Sequence, residues 1–128
     1  MDKAALVEAD IDGGAELIRA LDQSGLPVQA ALWFYSADEQ EWYLMIATTI
    51  VDKFGPRRAY RDIRRIMQKE QPPFSVAFGR IKAVSPSSRL IQLLRCAVKT
   101  GKALVAIRFS QNTINGEYIE DAVLYRLQ

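Results

Sequence analysis

Val28-Gln29-Ala30-Ala31-Leu32-Trp33-Phe34-Tyr35, then the polar Ser36-Ala37-Asp38-Glu39-Gln40, then Trp42-Tyr43-Leu44-Met45-Ile46-Ala47-Thr48-Thr49-Ile50-Val51, is the passage that decides the fold. Both apolar runs are rich in β-branched and aromatic residues, and both are apolar on odd and even positions alike. That pattern predicts two strands buried on both sheet faces rather than strands with one face in water. The short polar link between them predicts a hairpin.

Upstream of the hairpin, Asp12-Gly13-Gly14 opens a helical stretch with Leu17, Ile18 and Leu21 on one side and Asp10 or Asp12 as its N-cap. Gly25 and Pro27 end it. Residues 1–10 show no clear period and are expected to be frayed. Downstream, Gly55-Pro56 starts the clearest helix, residues 57–70, with proline at the first helical position where its missing N–H is harmless. Pro72-Pro73 then forces the chain to extend. Residues 76–84 read as a strand, Ser85-Pro86 begins a helix that runs to Thr100-Gly101, and residues 103–109 and 118–127 read as strands. Between the last two stands Asn115-Gly116, a strong turn dipeptide. The order α-β-β-α-β-α-β-β predicts one α+β domain over residues 1–128, a largely antiparallel five-stranded sheet with helices packed on it.

Composition excludes several chemistries. The 128 residues fit a single domain. There is no histidine, which removes imidazole bases, Ser-His and Cys-His dyads and histidine metal sites. One cysteine permits neither an intrachain disulfide nor a multi-thiolate metal site. No cofactor, metal site or catalytic residue is assigned. The N-terminal residues carry acids where a secretory signal would carry a basic head, and no uncharged run approaches the roughly 20 residues needed to cross a bilayer. The expectation is a cytoplasmic protein with no membrane partner.

Charge is segregated along the chain. Residues 1–52 hold two basic side chains against ten acids, and residues 53–108 hold fourteen against two. A nucleic-acid or acidic-partner surface would produce this asymmetry. So would acidic and basic segments that neutralise one another within the fold or across a dimer. The contrast peaks in the helix at 57–70, where Arg57, Arg58, Arg61, Arg64, Arg65 and Lys69 fall within about 140° of arc, opposite the apolar Tyr60, Ile63, Ile66 and Met67. Arginine suits phosphate, which it grips bidentately, but it is also a good former of solvated helix faces.

Other motifs carry less. Cys96 lies among Arg89, Gln92 and Lys99, where nearby cations favour thiolate, yet no histidine is present to serve it as a base. Glu117 and Asp121 share one strand face and Glu120 takes the other, so spacing gives no adjacent carboxylate pair. Thr100-Gly101-Lys102 ends like a phosphate loop, but Cys96 occupies the position of the required first glycine. The aromatic residues Trp33, Tyr35, Trp42 and Tyr43 are numerous enough to supply both core and an interface, and are expected to anchor a dimer.

The stretches Gly25-Leu26-Pro27-Val28-Gln29-Ala30-Ala31-Leu32-Trp33-Phe34-Tyr35, Ile46-Ala47-Thr48 and Asn115-Gly116-Glu117-Tyr118-Ile119-Glu120-Asp121-Ala122 resemble a group of small uncharacterised bacterial proteins, some carried on mobile elements such as integron gene cassettes. The resemblance runs from about Asp12 to the C-terminus and implies a shared fold and a bacterial source. It brings no catalytic or binding residue with it.

These readings converge on a non-enzymatic binding protein that acts as a homodimer. The alternative is a nucleic-acid-binding protein, or a histidine-independent ribonuclease, that works through Arg57, Arg58, Arg61, Arg64, Arg65 and Lys69.

Overall fold

A computed structural model describes residues 5–69, 73–98, 100–101 and 103–128. Its element order is α1 (Glu8–Gln23), β1 (Ala30–Ser36), β2 (Glu41–Ala47), α2 (Thr49–Phe54), α3 (Pro56–Gln68), a 3₁₀ turn (Phe78–Arg80), β3 (Ile81–Val84), α4 (Arg89–Arg95), β4 (Ile107–Ile114) and β5 (Glu117–Leu127). The five strands form one sheet in the order β3-β2-β1-β5-β4. The α+β class and the expected succession of elements hold.

The hairpin of β1 and β2 sits at the centre in the register Ala30↔Ala47 to Ser36↔Glu41. Strand β5 pairs antiparallel with β1, and β4 antiparallel with β5. Strand β3 instead runs parallel to β2, so the sheet is mixed. Parallel neighbours need a long crossover connection, and α2 and α3 supply it.

Alternation along the hairpin sorts its side chains between two cores. Trp33, Tyr35, Trp42, Leu44 and Ile46 meet Leu17, Ile18 and Leu21 of α1 and Ala59 and Ile63 of α3 on one face. Ala30, Leu32 and Ala47 join Ala122 and Leu124 of β5 on the other, under Ile91 and Leu94 of α4. Strand β1 is therefore covered on both sides, as its continuous apolar sequence requires.

A bulge in β5 fastens α1. The pairing steps from Ala31↔Arg126 to Leu32↔Leu124, leaving Tyr125 as the extra residue. Both Tyr125 and Arg126 reach α1. The Tyr125 hydroxyl donates to the Ile11 carbonyl and accepts from Trp33 Nε1 at 2.9 Å. Arg126 donates to both carboxylate oxygens of Asp22, at 2.9 and 2.8 Å. Helix α1 approaches so closely that a Cβ at Gly14 would stand 2.5 Å from the Tyr125 hydroxyl and 2.8 Å from Trp33 Nε1.

Several boundaries differ from the sequence expectation, each for a local reason. The run 42–51 does not remain extended. The Thr48 hydroxyl accepts from the Ile50 N–H and caps α2, which takes Ile50 and Val51 into a helix. Helix α1 begins at Glu8 rather than beyond Asp10, because the Asp10 carboxylate accepts from the Val7 N–H at 3.3 Å; residues 1–4 of the expected frayed end lie outside the described residues. The strand expected at 76–84 is extended in pairing only from Ile81, since Gly79 sits in the 3₁₀ turn. The helix after Ser85-Pro86 spans only Arg89–Arg95, and β4 begins at Ile107 instead of residue 103. The Asn115-Gly116 turn is as expected. Positive φ values of 47° and 83° at its two residues close the two-residue hairpin between Ile114 and Glu117.

Candidate functional site

Helix α3 carries the site. Gly55, with φ of 90°, redirects the chain out of α2, and Pro56 occupies the first turn of α3. The helix buries only Ala59 and Ile63 fully, with Tyr60, Ile66 and Met67 packed partly against the core. The Tyr60 hydroxyl accepts the Ala83 N–H at 3.0 Å and so ties the helix to β3. That docking fixes which way the remaining side chains point. Arg57, Arg58, Arg61, Arg64, Arg65 and Lys69 are all exposed, and the structure brings all six together on one face.

Their carboxylate partners are few. Arg58 pairs with Asp62 one turn on, at 3.0 Å. Among the described residues, no ion pair reaches Arg57, Arg61, Arg64, Arg65 or Lys69. Three acids of the first third pair with other cations: Asp10 with Arg80 at 3.1 Å, Asp22 with Arg126 at 2.8 Å, and Glu39 with Lys82 at 3.9 Å. No described acid of residues 5–52 forms an ion pair with the basic helix.

Two clefts flank the cationic ridge. One, of about 320 Å³, is lined by Leu26, Ile50 and Ile66 together with Ser24, Arg58, Asp62, Arg65 and Lys69. The other, of about 400 Å³, is lined by Arg64, Met67, Phe74, Val76 and Phe78, with the Arg64 guanidinium 5.5 Å from the Phe78 ring centroid. At the start of the ridge, Phe54 is exposed and Arg58 lies over its ring at 4.9 Å. Phe54 was not legible as a surface residue. It follows a β-branched run that reads as buried strand, and only its position between Lys53 and Gly55 hints at a helix end.

The aromatic interface expected from the sequence is corrected. Trp33, Tyr35 and Trp42 are 0%, 5% and 2% exposed and belong to the core beneath α1 and α3, so they present no surface to a second copy. The register pairs Tyr35 with Trp42 and Phe34 with Tyr43, which places Tyr43 on the opposite sheet face from the other three. Tyr43 is half-buried; its hydroxyl donates to Glu39 and Glu41, and the Glu39 hydrogen bond chiefly raises its pKa above the ordinary range. The four residues do not form one patch.

The other motifs fall into structural roles. Cys96 is exposed at the end of α4, while Arg89 pairs with Glu117 and Arg95 donates to the carbonyls of Pro86 and Gln128. Lys99, expected beside it, lies outside the described residues. Asp121 is buried and accepts from Arg108, at 3.0 and 2.6 Å, and from Ser110, at 3.0 Å. The Asp121 hydrogen bonds hold the Arg108 guanidinium pKa above its usual value. Among the described residues no cluster of three or more acids and cysteines could hold a metal ion. No helix of the described residues is long and apolar enough to cross a membrane.

No family model, curated protein or solved structure matches the chain.

Proposed function

We propose that the protein is a nucleic-acid-binding protein, non-enzymatic in action, whose contact surface is the exposed cationic ridge of α3. One observation carries this reading: six cations share a helix face to which the described acidic N-terminal region contributes no carboxylate. The arrangement works against the stability of the helix. Arg57–Arg61, Arg58–Arg61, Arg61–Arg64, Arg61–Arg65 and Arg65–Lys69 are like-charge neighbours three or four residues apart, repelling by about 0.2–0.5 kcal/mol each. Arg57 and Arg58 also stand in the first turn, at the positive end of the helix dipole, where no acid offsets them. Arg58–Asp62 relieves only part of this. A polyphosphate backbone removes the repulsion, and arginine grips its oxygens two at a time.

The salt dependence of binding tests the reading. Three to six phosphate contacts give a slope of log affinity against log salt of roughly −2 to −5. Retention on nucleic acid that falls with this slope is the expected result. A flat response, or no retention at low salt, contradicts it.

Self-association has a different surface available. On the α4 side of the sheet, Phe34, Leu90, Leu93 and Ile119 line an apolar groove of about 260 Å³ beside Tyr118, which is 60% exposed. We place any second copy of the chain there rather than at the buried tryptophans.

A further inference from the structure

Phe54 ends α2 one residue before the turn into the basic helix, and it is 61% exposed although Arg58 covers its ring at 4.9 Å. With one ring face under the guanidinium, exposure of that size leaves the other face open. A solitary exposed apolar residue is ordinary. What distinguishes Phe54 is its place beside the ridge. Arg58, which stacks on it, also lines the 320 Å³ cleft whose apolar wall is Leu26, Ile50 and Ile66.

A duplex offers a cationic ridge its phosphates and keeps its bases stacked inside. An open aromatic face, and the apolar wall of a cleft whose other lining is polar, would gain nothing from it. A single strand offers phosphates together with unstacked bases, each with a π-face that aromatic side chains and arginine accept. Resting on the reading of α3 as a nucleic-acid surface, we propose that the ligand is single-stranded. Phosphates run along Arg57, Arg61 and Arg64, whose helical rise spans about 10 Å. One unpaired base stacks on the open face of Phe54, and the cleft beside Arg58 admits a neighbouring base.

Fluorescence anisotropy with the full chain tests this, using short oligo(U), short oligo(dT), a duplex of matched length, and inorganic polyphosphate, which has charge but no bases. The strands are expected to bind more tightly than the duplex. Phe54→Ala is expected to weaken strand binding about tenfold, within the range for one lost base stack, and Phe54→Trp to restore it. Polyphosphate binding should be the same in all three proteins, and unchanged circular dichroism and thermal midpoint show that each is folded. Tighter binding of oligo(U) assigns the strand as RNA, and tighter binding of oligo(dT) as DNA. A duplex bound as tightly as the strands, or strand binding unchanged by Phe54→Ala, overturns the single-strand proposal while leaving the ridge intact. Wild-type protein that binds neither polyphosphate nor any oligonucleotide overturns the ridge itself.

Discussion

Helices α1 and α3 pack on the same face of the same sheet, yet they treat their charges in opposite ways. Helix α1 buries Gly13, Gly14, Leu17, Ile18, Ala20 and Leu21, whereas α3 buries only Ala59 and Ile63. Two acids of α1 are used in structure. Asp10 caps its own helix and holds Arg80, and Asp22 is tied to the buried end of β5 through Arg126. The cations of α3 have a single carboxylate partner among the described residues, and that one lies within the helix. A helix kept for packing tends to match its charges to its neighbours. Helix α3 instead displays six cations, two of them in its first turn against the dipole, and on our proposal they serve a ligand.

The largest effect that should separate the two helices comes from Gly14→Ala. On helix propensity alone, alanine would stabilise α1 by about 1 kcal/mol. The added methyl, however, meets the Tyr125 hydroxyl and Trp33 Nε1 inside 3 Å, and neither buried ring can swing aside. Overpacking should win, and thermal or denaturant unfolding should show a net loss of about 1–2 kcal/mol. A stabilised variant would mean that α1 is not clamped as described.

A smaller effect comes from pH. Burial pushes the Tyr125 phenol up to about 12. Its unfolded value is near 10, so its contribution is fully present below pH 10 and is lost as pH rises from 10 towards 12. Unfolding followed across that window should show stability falling less steeply in Tyr125→Phe than in the wild type. Equal slopes would separate Tyr125 from the anchoring of α1.

How far the sequence could reach follows from the same residues. Period and punctuation made the α3 ridge, the β1–β2 hairpin and the Asn115-Gly116 turn legible, because each depends on neighbours in the chain. The fate of the tryptophans was not legible. Which aromatic residues share a face depends on the register Phe34↔Tyr43, and which face is covered depends on where α1 and α3 dock. Ile50 and Val51 misled for a related reason. Their composition favours a strand, but the Thr48 cap and the Gly55-Pro56 break turn them into a short helix and bring Phe54 into solvent. The parallel pairing of β2 with β3 is a property of the crossover, which local sequence does not encode.

The smallest expected change in stability accompanies the most direct test. Reversing Arg57, Arg61 and Arg64 to glutamate removes like-charge contacts and leaves Ala59 and Ile63 untouched, so the folded state should keep its stability or gain a few tenths of a kcal/mol. Retention on nucleic acid and thermal midpoint are measured together, on the wild type and the triple variant. The account predicts that retention disappears while the midpoint holds or rises. A lowered midpoint would show that the ridge serves the fold, and retention that survives the reversal would show that it is not the nucleic-acid surface.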